Sequence, residues 1–268
     1  TRVAGDSTAC PAPAADCTAC SGGWTAVCCG SACTGGGAVL GHRAARTGAA
    51  LKAALDRGLS APLPTAWESR LIRALAARFP SYRSFRLFAT RERALEAVSR
   101  VLGAPVASAD LADPGLGTCG SGRVGLWRPF LGDGPDRPVL LPVLPFTLGG
   151  SPAAACFRDA LPDDVEPSDT VPGIAAIAAL RGLAGLGPAR PGEPFGPRDL
   201  GGCPGWERRG PYLRPVFPAD EYPGVFRAFL ERGVLLSPVY PGPSILPGEA
   251  SDGERRLVVS LFHSIPGG

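Results

Sequence analysis

The chain has 268 residues, 45% hydrophobic and 19% charged, enough for one large core or two smaller ones. Its net charge of +3 is scattered rather than gathered into a stripe, and no apolar run reaches the roughly 18 residues that a membrane helix requires. Neither nucleic acid nor a membrane span is implied.

Residues 1–33 are rich in small residues and hold six of the nine cysteines: Cys10, Cys17, Cys20, Cys28, Cys29 and Cys33. The opening at Thr1, without a methionine, is consistent with removal of a start residue or targeting segment. No secretory pattern is left to read, which favours the cytoplasm. From about Gly41 the character changes. Residues 43–57 read as a helix with Leu51, Ala54 and Leu55 on one side and Gly58 as its stop. Thr65 and Glu68 have the T-x-x-E spacing of a capping box, and Trp67, Leu71, Ile72, Leu75 and Phe79 follow at helical spacing until Pro80. Residues 84–89 read as a strand, and Thr90 then caps a helix with Ala94, Ala97, Val98 and Val101 inward and Gly103 beyond its end. Helix, strand, helix in this order points to an α/β layer.

Between Gly103 and Gly210 proline and glycine punctuate the chain, leaving one strand at residues 139–144 and one helix at 172–183. Pro223 opens a further helix holding Val225, Phe226, Phe229 and Leu230, with strands expected at 234–237 and 256–262.

Chemistry has few footholds. Lys52 is the only lysine beside 26 arginines, and Asn, Gln and Met are absent, so any amine chemistry must run through one position on the polar face of a helix. Cys17 and Cys20 form one C-x-x-C, with the pair Cys28 and Cys29 nearby. These four could supply soft metal ligands, but a zinc site wants two such pairs and only half of that pattern is present; disulfides account for them in an oxidising compartment and small buried residues in a reducing one. Cys119, Cys156 and Cys203 are isolated and read as packing residues. Gly115, Gly117 and Gly120 satisfy G-x-G-x-x-G, yet no clear strand precedes them and no helical period follows, so the segment reads as a loop. With only His42 and His263, and no G-x-S-x-G, a Ser-His-Asp hydrolase has no support.

Several segments together resemble the class III aminotransferases, the fold-type I pyridoxal-phosphate family that includes glutamate-1-semialdehyde aminomutase. Ala38-Val39-Leu40-Gly41-His42-Arg43 resembles the family's "GHR" turn. Residues 49–62 with Glu68, then Phe79-Pro80 and Phe85-Arg86-Leu87-Phe88, are similar to the stretch that follows it. Residues 221–264, with Gly233, Pro238 and Ser260-Leu261-Phe262-His263-Ser264, resemble the C-terminal small domain. The resemblance implies an α/β, eroded fold-type I chain: a small domain from both chain ends plus a reduced large domain. In order these are a Cys-rich segment (1–33), an aminotransferase-like part (34–103), a Pro/Gly-rich reduced large domain (104–210) and a C-terminal small-domain part (211–268).

The departures from the family are as informative. Where its small-residue loop holds the cofactor phosphate, this chain has Ala89-Thr90-Arg91-Glu92-Arg93, and arginine stands where glycine is needed. Neither the aspartate for the pyridinium nitrogen nor the Schiff-base lysine is recognisable in the centre, and Lys52 falls on an early helix far in sequence from any catalytic position. The expectation is therefore a non-catalytic pseudoenzyme with no cofactor, serving as an interaction or structural subunit, as a dimer or beside an active partner. No catalytic role passes to His42 or His263. The alternatives are a Cys-rich metal or redox protein using Cys17, Cys20, Cys28 and Cys29, and a small-ligand binder in which Thr90, Arg91 and Arg93 hold a phosphate or carboxylate in place of the lost cradle.

Overall fold

The computed structural model describes residues 37–40, 45–59, 61, 63–118, 122–145, 152–196, 198–246 and 250–264. The six cysteines of residues 1–33, His42 and Cys119 lie outside these. Two sheets organise the described chain. The first has strand order β1-β4-β3-β2, formed by β1 (Ser84–Phe88), β2 (Val124–Trp127), β3 (Val139–Pro142) and β4 (Ala153–Phe157). β2 and β3 run parallel, while β4 is antiparallel to both its neighbours.

Alternation along these strands feeds two separate cores, as a sheet covered on both faces requires. Leu87, Leu140 and Cys156 face α2 (Ala66–Arg78) and α4 (Gly173–Gly185), whereas Phe88, Val139, Leu141, Ala155 and Phe157 face α3 (Arg91–Leu102). α1 (Ala45–Leu55) packs on α4 from outside. The expected inward side of α1 is only partly right: Ala54 is buried, but Leu55 is 55% exposed.

The cap expectations at α2 and α3 are met. The Thr65 hydroxyl accepts from Trp67 N–H and the Thr65 N–H donates to Glu68. Glu68 also accepts from the Val171 N–H at 2.8 Å, so one carboxylate ties the start of α2 to the segment entering α4. Thr90 accepts from the Arg93 N–H, and Gly103 ends α3 in the left-handed region at φ 65°, where only glycine pays no Cβ penalty.

The second sheet, β5 (Trp206–Arg209), β6 (Tyr212–Pro215) and β7 (Ser244–Ile245), is antiparallel, with α5 (Tyr222–Glu231) and α6 (Asp252–Ser264) sharing its core. Trp206 anchors that core, meeting Phe217 and Phe262 edge-on at 5.4 and 4.9 Å between ring centroids. Val39, near the start of the described chain, packs with Tyr212 and Ile245.

Two expected strands are not formed. Residues 256–262 belong to α6: Ser251 and Glu254 make an S-x-x-E cap, and Val258, Leu261 and Phe262 are buried at helical spacing. Residues 234–237 carry no strand assignment, although Val234, Leu236 and Ser237 are buried. No helix among the described residues is long and apolar enough to cross a membrane.

Candidate functional site

The first sheet places its chemistry where β2 ends. Ala112 bridges Gly125 in parallel, its N–H donating to Val124 and its carbonyl accepting from Leu126, so Asp113 is delivered beside the residue that leaves β2, Arg128. The two pair through both guanidinium edges. Nε donates to Oδ1 at 2.6 Å and a terminal nitrogen to Oδ2 at 2.7 Å, with the side chains only 3% and 8% exposed. Asp113 Oδ1 also accepts from the Gly115 N–H. Any side chain at Gly115 would strike Arg128, since a Cβ there would lie 2.7 Å from its Cδ. Burial works against the charge on Arg128, but the hydrogen bonds and charge of Asp113 outweigh it, and its pKa is raised.

The second sheet closes over this pair. The Arg128 guanidinium stands 5.5 Å from the ring centroid of Tyr212, the first residue of β6, and Arg209 of β5 donates to the Pro114 carbonyl. Tyr212 is fully buried and its phenol is pushed up by that burial. Phe130, two residues beyond Arg128, is held at φ 68°, a region uncommon for an aromatic residue.

The three residues expected to hold a ligand part company. The Thr90 hydroxyl is occupied as the cap of α3. Arg93 pairs with Glu96 at 2.8 Å and Asp169 at 3.3 Å, and these hydrogen bonds raise its pKa. Arg91 is partly buried, and its Nε has no hydrogen-bond partner among the described residues. Its pKa is lowered by burial first and by the charge of Arg128 second. The same lack of a partner holds for the second terminal nitrogen of Arg128 and for the Tyr212 hydroxyl. Arg128, Asp113 and Tyr212 were not anticipated. The available signal was an arginine directly after the apolar run Val124 to Trp127.

Gly115 and Gly117 lie in a turn, as the loop reading has it. Cys156 and Cys203 are buried, and Cys203 Sγ lies 3.7 Å from His263 Nε2, which itself hydrogen-bonds the Asp199 carbonyl. Burial pushes both thiols up. Lys52 is exposed on α1. Among the described residues no group of His, Cys, Asp and Glu is arranged to hold a metal ion, and Cys17, Cys20, Cys28 and Cys29 lie outside them.

The architecture defines a class: an α/β chain with the fold of the fold-type I aminotransferases. A transaminase with PLP bound matches with a TM-score of 0.62 at 13% identity, over 84% of this chain and 82% of that one. The Plasmodium falciparum ornithine delta-aminotransferase (TM-score 0.59, 12% identity, 85% of this chain and 84% of that one) and an omega-transaminase from Sphaerobacter thermophilus (0.56, 12%, 85% and 84%) match similarly. By sequence, an uncharacterized protein of Treponema pallidum (strain Nichols) is 29% identical over 263 residues, covering 80% of this chain and 81% of that protein. No protein-family model matches the chain.

The expectation of no cofactor is overturned by this likeness. A solved neighbour carries PLP, and pyridoxal phosphate is the cofactor to which the fold points. The replacement of the small-residue loop by Ala89-Thr90-Arg91-Glu92-Arg93 does not by itself exclude the cofactor, since arginine donors can bind the same anion.

Proposed function

We propose that the chain is a shortened relative of the class III aminotransferases, nearest in character to glutamate-1-semialdehyde aminomutase, that does not transfer amino groups. It serves as an interaction or structural subunit, as a homodimer or beside an active partner. The observation that carries this reading is where the side chains stand. The only lysine is exposed on α1, while the buried end of β2 carries Arg128 locked to Asp113. The packing of Val39 against Tyr212 and Ile245 supports a small domain drawn from both chain ends, with residues 104–210 as a reduced large domain.

The residues fit the acidic end of pyridoxal phosphate. Arg91 has an unpartnered buried Nε and stands in the first turn of α3, where backbone N–H groups and the helix dipole favour an anion. Arg91 and that first turn would hold the phosphate. When bound, the cofactor supplies an aldehyde and an electron-accepting ring.

The test is to incubate the purified chain and pyridoxal phosphate with a panel of primary amines and amino acids as donors and keto acids as acceptors. No product above the protein-free rate is expected. Turnover that survives Lys52→Ala and further purification would overturn the non-catalytic reading.

A further inference from the structure

Three side chains, in the first turn of α3, just after β2 and at the start of β6, each bury a polar atom that can donate a hydrogen bond. One terminal nitrogen of Arg128, Nε of Arg91 and the hydroxyl of Tyr212 are buried without a hydrogen-bond partner among the described residues. Two of these side chains are almost wholly enclosed, Arg128 at 3% and Tyr212 at 0% exposure. Folded proteins rarely leave buried polar groups unpaired, and here the Arg128 guanidinium and the Tyr212 ring, 5.5 Å apart, each leave one without a partner. The charge points the same way. Asp113 neutralises Arg128 through two hydrogen bonds, whereas Arg91, partly buried, makes no such pair and has only the more distant charges of Asp113 and Glu92 in its favour. The charge of Arg128 reaches Arg91, where it disfavours the protonated form. An anion between them would relieve both.

We propose that Arg128, Arg91 and Tyr212 form a buried oxyanion site, fixed on one side by Asp113 and open to a compact acceptor-only group, a carboxylate or the phosphate of a monoester. Asp113 is a positioning residue: its two-point pair leaves only one terminal nitrogen of Arg128 uncommitted and sets its direction. Tyr212 brings the second sheet into the site, so an occupant would tie the two sheets together. This deepens the functional reading above in naming the chemistry of the ligand, and rests on it only for the location beside α3.

The experiment is isothermal calorimetry and thermal denaturation of the full chain with inorganic phosphate, succinate, pyridoxal phosphate and pyridoxal, at constant ionic strength set with sodium chloride. Phosphate or succinate should bind and raise the melting temperature, and pyridoxal phosphate should bind better than pyridoxal. Phosphate without succinate assigns a phosphate monoester, and succinate without phosphate assigns a carboxylate. Arg91→Ala should weaken binding roughly tenfold or more, and Tyr212→Phe several-fold. Replacing Arg128 endangers folding by stranding Asp113, so these two variants carry the test. The site is overturned if none of the anions binds, if both variants bind as the wild type does, or if inorganic phosphate binds yet pyridoxal binds as well as its phosphate. Amino-group turnover would sink the non-catalytic reading while leaving this site standing, and anion-insensitive folding would do the reverse.

Discussion

Arg128 and Asp113, fifteen residues apart, are joined by two hydrogen bonds of 2.6 and 2.7 Å at a point where neither side chain is more than 8% exposed. Removing one partner of such a pair strands the other charge in a poorly solvated place. Asp113→Ala should therefore destabilise the chain by about 3–5 kcal/mol, whereas the double replacement Arg128→Met with Asp113→Leu should recover much of that loss. Urea unfolding of the wild type and the two variants measures both, and a double variant no more stable than the single one would contradict the argument.

The surface ion pairs give a pH dependence of definite sign. Glu166, hydrogen-bonded by Arg100, and Glu207, hydrogen-bonded by Arg209 and Arg214, are both held below the ordinary glutamate value of 4.5. Asp199 is held below 3.8 by the Gly196 N–H first and also by Arg255. A carboxyl that ionises more readily when folded contributes stability above its unfolded value and loses it as pH falls through the folded one. The melting temperature should thus be flat above pH 4.5 with respect to these groups and decline below it. Glu166→Gln should flatten part of the decline.

Close packing makes Gly182 intolerant. A Cβ there would stand 2.0 Å from the Pro145 carbonyl oxygen, which is backbone and cannot rotate away. Gly182→Ala should cost about 1–3 kcal/mol although alanine is the better helix former. Thermal denaturation beside Gly48→Ala in α1, where a Cβ meets nothing within 4 Å, separates the two effects.

The dual role of Glu68 predicts an inequality. Thr65→Ala removes the cap of α2 and should cost about 1 kcal/mol. Glu68→Ala removes the reciprocal half of that cap and also the acceptor for the Val171 N–H, and should cost more. Equal losses in chemical denaturation would count against the link to α4.

Cys156 is fully buried in the core between β4 and α2, and burial pushes its thiol up. It should resist alkylation in the native chain and react on unfolding, with peptide mass spectrometry distinguishing it from the cysteines of residues 1–33. Native labelling at Cys156 would show that this core opens locally.

The readable parts of the chain were those whose signal is local. The caps at Thr65 and Thr90, the stop at Gly103 and the apolar spacing of α2 and α3 each lie within one or two turns of the residues they order, and all four appear as expected. Ser251 and Glu254 carry the same local signal for α6, whereas the strand expected at 256–262 agrees only with the β-branched pair Val258 and Val259. β2, β4, β5 and β6 are four or five residues long, several rich in alanine or arginine, and their hydrogen bonds come from distant segments.

The sequence by itself determined α1 to α5, the α/β character and the resemblance that fits the observed fold, because each depends on short-range periodicity or the order of motifs along the chain. It also determined that only one amine is available, and that arginine replaces glycine after β1. Only the tertiary structure decided which arginine matters. Arg91 and Arg93 are alike on paper, but Arg93 meets Asp169 at the surface while Arg91 is partly buried within reach of the charge of Arg128, brought in from 37 positions away. Burial and charge pairing are set by what the far chain delivers to a place, and one-dimensional spacing carries no record of that.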